Sequence, residues 1–126
     1  MKYAVWILQI LLALSFGSAG VTKLLVPRAQ LIESGQTWAA DFSDTQVKLI
    51  GVAETAGAIG VIVPAATGIA PMLTPAAAFG LALVMGGAIA THMRRGEAPM
   101  ALPAIVLSLL ALLTAVLTYR RYSRRP

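Results

Sequence analysis

The chain has 126 residues, 58% apolar and 12% charged, with a mean hydropathy of +0.79, and so much apolar surface cannot be buried in one small aqueous core. Cysteine is absent and histidine occurs once, as His92, which excludes disulfides, thiolate metal sites and a monomeric bis-histidine haem within this chain. The net charge of +5 comes mostly from Arg120, Arg121, Arg124 and Arg125, a tail suited to anionic lipid headgroups rather than a face for nucleic acid.

These properties predict an all-α integral membrane four-helix bundle, one domain over residues 1–126, with a short interfacial segment between its first two helices. From Tyr3 to Thr22 no side chain is charged, a stretch that reaches the roughly 30 Å of a bilayer core at about 1.5 Å per residue. The first span is therefore set at 3–26, ended by Pro27, whose ring cannot continue a helix. Lys2 and the small residues Gly17 to Gly20 also resemble a cleaved signal peptide, but the apolar run continues past them to Val26, too far for such a segment.

Between Pro27 and Ser43, Trp38 and Phe42 alternate with charged residues, which predicts a surface segment capping the bundle at the headgroup level. Ser43 and Gln46 have the spacing of a capping box, so the second span should open there and occupy 44–63, stopping before Pro64. Thr55 to Thr91 carries no ionisable side chain and would measure about 55 Å as one helix, so it must fold as a hairpin. Thr74 as N-cap, with Pro75 in the first helical position, opens the third span at 75–93. Arg94 to Glu97 forms a polar turn, and Pro99 or Pro103 opens the fourth span at 99–119. Rows of small residues such as Ala53 with Gly57 and Ala82 with Gly86 predict close helix contacts.

Four spans put both termini on one side. Lys and Arg divide equally between the two sides, and the dense arginine tail favours cytoplasmic termini. Alternating helix directions then bring Lys23, Glu54 and His92 to the other side together. Glu54 lies inside a span, where a carboxyl is costly unless paired or turned inward. Two readings of the trio stand: a ligand or proton site, with Glu54 paired to Lys23 and His92 as a titratable partner, or a structural tie between helices with Lys23 reaching for the interface. One histidine and one carboxylate are too few ligands for a metal.

No nucleophile elbow, phosphate loop or paired catalytic carboxylates occur. The segments SAGVTKLL (Ser18 to Leu25), GVAETAGAIGVIVP (Gly51 to Pro64) and AIATHMRRGE (Ala88 to Glu97) together resemble the DoxX-like family of small four-helix membrane proteins. The resemblance implies a bacterial plasma-membrane location and marks Lys23, Glu54 and His92. The family's name-giving member is a subunit of a thiosulfate:quinone oxidoreductase, and a distant animal relative is similar to a receptor-assembly chaperone. The expectation is an accessory or ligand-binding membrane component in contact with lipid, with a hydrophobic small molecule or a protein as partner. The alternative is a membrane subunit of a quinone-linked oxidoreductase, with quinone as its only candidate cofactor. A transporter or channel is disfavoured by the single acidic residue inside the spans and the lack of repeated broken helices.

Overall fold

The computed structural model describes residues 2–124, so Arg125 of the basic tail lies outside the described residues. Its elements in chain order are α1 (Lys2–Leu25), α2 (Arg28–Glu33), a 3₁₀ turn (Thr37–Asp41), α3 (Asp44–Gly60), α4 (Val63–Thr67), α5 (Leu73–Arg94) and α6 (Ala98–Ser123). α1, α3 together with α4, α5, and α6 are each long and apolar enough to cross a bilayer, and the protein is an all-α membrane protein with four spans. Leu14, Leu83 and Leu109 are 66%, 62% and 62% exposed. Such side chains scattered along every span form the lipid-facing surface.

α1 packs mainly on α3, and α5 on α6. The two pairs close on each other where α3 crosses α5: a Cβ at Gly60 would stand 2.6 Å from Ala77 Cβ, and one at Gly57 would collide with Leu81. The main core gathers around this crossing, with Leu12, Phe16, Val61, Ala78, Leu81 and Ala111 all buried. In lipid, apolar burial gives little drive to association, so this close backbone approach carries much of the packing. Gly80 and Gly86 meet nothing within 4 Å of an added Cβ and belong to the outer surface.

The second span differs from expectation at Pro64. The helix does not continue to Val63 and stop before the proline; it ends at Gly60, breaks over Val61 and Ile62, and resumes as α4 with Pro64 in its first turn. In an unbroken helix Pro64 would face the Gly60 carbonyl with no N–H to donate. Neighbouring helices supply the missing donors, since Thr74 Oγ1 donates to Gly60 O at 3.0 Å and Gln9 Nε2, wholly buried on α1, donates to Val61 O at 2.7 Å. Membrane helices tolerate a break when the freed carbonyls are satisfied in this way. Thr74 is therefore not an N-cap: α5 begins two residues earlier than expected, at Leu73 and not Pro75, with Met72 in the capping position and no side-chain cap. Thr74→Val keeps the shape and removes the donor, so it should lower stability by about 1–2 kcal/mol in a detergent unfolding titration. An unchanged midpoint would show that the Gly60 carbonyl finds another partner.

The capping box forms, with Ser43 Oγ accepting from Gln46 N at 3.1 Å and Gln46 Oε1 accepting from Ser43 N at 2.9 Å. The segment before it folds back over the bundle end and has its own small core of Leu31, Ala39 and Val47. Arg28 clamps that fold: its Nε donates to Ala39 O at 2.9 Å and Phe42 O at 2.6 Å, and its Nη2 to Ala40 O at 3.1 Å.

Candidate functional site

Away from the α3–α5 crossing, towards the start of α3 and the end of α5, the two helix pairs stand apart and enclose a cavity of about 560 Å³. All four spans and the interfacial segment contribute to its wall, which is apolar along Ile50, Val84, Met85, Ala104 and Leu107. Lys23, Glu54 and His92 all line it, with Trp38 and Phe42 on the side of the interfacial segment. Those two rings meet edge to face, their centroids 5.8 Å apart.

Lys23 and Glu54 are joined directly. Lys23 Nζ lies 2.7 Å from Glu54 Oε1, with the side chains 11% and 2% exposed. At that separation the ammonium and the carboxylate make a close charge-assisted contact. The ammonium also stands 5.5 Å from the centre of the Trp38 ring, close enough for a cation–π attraction that ties the interfacial segment to the pair. What allows the approach is a glycine on each helix. A Cβ at Gly20 would stand 2.8 Å from Thr55 N and 2.9 Å from Gly51 O, and a Cβ at Gly51 would stand 2.9 Å from Gly20 O. The two backbones touch one turn from the ion pair.

His92 shares the cavity but joins neither Lys23 nor Glu54. Its Nδ1 lies 3.2 Å from Glu97 Oε1, and because the carboxylate accepts, the ring proton sits on Nδ1 and leaves Nε2 without a partner among the described residues. Glu97 was not among the residues singled out in the sequence, though the signal is there in Gly96. At φ 71° Gly96 closes α5 with paired bonds from Gly96 N to Met93 O and from Glu97 N to His92 O, which turns Glu97 back over His92.

The same carboxylate accepts from Arg95 Nε at 3.2 Å, while Arg95 Nη1 reaches Asp41 Oδ1 at 2.6 Å. This chain of charges fastens the α5–α6 turn to the interfacial segment. The His92 hydrogen bond above all, helped by the Arg95 charge and hydrogen bond against some desolvation, holds the Glu97 carboxyl below the usual glutamate value of 4.5. A carboxyl with a lowered pKa stabilises the fold at pH above the unfolded value, and that contribution disappears as the pH falls through its folded pKa. Glu97→Gln should therefore melt below the parent at about pH 7, with the gap closing towards about pH 3; a gap independent of pH would rule the clasp out as an ionic one.

The model of the DoxX-like family matches residues 7–115, which takes in Lys23, Glu54, His92 and Glu97. Among curated proteins and among solved structures, none is significantly similar to this chain.

Proposed function

This chain belongs to the DoxX-like family, and we propose that it is a non-catalytic, accessory membrane component that binds an apolar small molecule with a polar end in the cavity beneath Trp38 and Phe42. One observation carries this reading: about 560 Å³ of mainly apolar space on which Lys23, Glu54 and His92 converge. Small-molecule sites are commonly of this form, about 300–1,000 Å³ of apolar wall with a few fixed polar groups. A second reading, a membrane subunit of a quinone-linked oxidoreductase, draws support from His92, since an Nε2 left open beside the cavity could accept a hydrogen bond from the hydroxyl of a quinol, the reduced form of the quinone.

Thermal unfolding of the purified protein across a panel of quinones and lipid-like molecules tests both. A shift produced by some member supports cavity binding, a shift confined to quinones favours the second reading, and no shift beyond scatter defeats both. The same reading places the protein in a bacterial plasma membrane with cytoplasmic termini, supported by Arg120, Arg121 and Arg124 at the end of α6. Compartment reporters fused after α6 and within the Arg28–Glu33 segment should report cytoplasm and exterior respectively; the reverse assignment would overturn the orientation.

A further inference from the structure

The polar groups on the cavity wall differ in how far the protein itself satisfies them. Lys23 and Glu54 neutralise one another, His92 Nδ1 is engaged by Glu97, and Thr91 Oγ1 donates to Gly87 O at 2.9 Å within its own helix. Arg94 also lines the cavity, and no described residue hydrogen-bonds or ion-pairs with it. The other cations at this end of the bundle are all engaged: Arg95 by Asp41 and Glu97, Arg28 by three carbonyls, and Lys48 by Leu24 O at 3.2 Å. Lys23 and Arg94 set two permanent cations on the cavity wall against the one carboxylate of Glu54, and the surplus is at Arg94.

We infer that the cavity takes a single-chain anionic amphiphile, such as an alkyl carboxylate, whose head is held by Arg94 near the Lys23 end and whose chain lies among Met85, Ala104 and Leu107. The inference rests on the cavity-binding reading above and adds the charge of the ligand. Arg94 is exposed, so a neutral head would not strand it but would gain no charge contact, whereas a cationic head would meet two positive side chains. A carboxylate, by contrast, matches the planar fork of an arginine in two parallel hydrogen bonds. The rest of the wall is mainly apolar, with Trp38 and Phe42 contributing to it, which suits one alkyl chain. An arginine at a helix end can also reach outward to the phosphate of a bulk phospholipid. That is the same anion chemistry from another source, and the experiment must separate them.

The protein is reconstituted in phosphatidylcholine nanodiscs, and binding of dodecanoate, dodecanol and dodecyltrimethylammonium is measured by calorimetric titration. Dodecanoate should bind about tenfold more tightly than dodecanol, the size of one moderate charge contact, and the cation most weakly. Arg94→Gln should erase the preference for dodecanoate and leave dodecanol binding unchanged. Equal binding of the three in the parent protein overturns the anionic ligand and leaves cavity binding intact, whereas binding of none defeats both. A preference that survives Arg94→Gln overturns the assignment to Arg94. If doping the disc with phosphatidylglycerol displaces dodecanoate at equal anion content, the anion is a lipid headgroup and the single-chain ligand is overturned.

Discussion

Gly20→Ala is expected to loosen the α1–α3 pair and lower the stability of the bundle by about 1–3 kcal/mol, the usual range for overpacking a close contact. Its added Cβ would stand 2.8 Å from Thr55 N and 2.9 Å from Gly51 O, both of them backbone atoms, so no rotamer change relieves the clash. The helices must separate or slide. Gly86→Ala is the control, because its Cβ meets nothing within 4 Å and alanine favours a helix over glycine by about 1 kcal/mol. Equilibrium unfolding in a detergent series compares the two, and Gly20→Ala matching Gly86→Ala would mean that α1 and α3 do not cross this closely. A wider crossing also moves Lys23 away from Glu54, so the glycines act on the site as well as on the fold.

That crossing marks a limit of what the sequence discloses. Small residues four apart occur along every span, and the pattern alone does not separate Gly57 and Gly60, which face α5, from Gly80 and Gly86, which face outward. Gly20 and Gly51 belonged to none of the rows read from the sequence, because each contact needs only one glycine per helix and a shared depth. The spans were legible for a different reason, since long uncharged stretches have no alternative in lipid. The Ser43 and Gln46 cap was legible because both partners lie within one turn.

Pro64 and Thr74 were misread because the outcome depends on distant helices. A proline can end a span or open a new turn within it, and here the second is permitted by donors from Gln9 on α1 and Thr74 on α5. Neither partnership is visible in local spacing. The site was legible in half: helix direction alone places Lys23, Glu54 and His92 at one end. The partner of His92 follows from a left-handed Gly96, a local signal, whereas the link from Arg95 to Asp41 spans a distance in sequence that no periodicity records.

The Lys23–Glu54 pair gives the largest expected loss and the clearest sign. Glu54 is 2% exposed, on a short stem inside α3, and no other cation lies within ion-pair distance of it among the described residues. Removing the partner of a buried charge typically costs about 3–5 kcal/mol, so Lys23→Met should fall in that range. The converse change is milder. Glu54→Gln leaves Lys23 near the end of α1, where its long stem can swing past Trp38 towards the headgroups, and the loss should be about 1–3 kcal/mol. Carrying both substitutions leaves no uncompensated charge, so the double variant should regain part of what Lys23→Met alone loses. A double-mutant cycle on reversible unfolding isolates that coupling. Strictly additive losses would mean that the two charges do not stabilise each other, and the 2.7 Å approach would then be a consequence of the Gly20–Gly51 crossing instead of a cause of it.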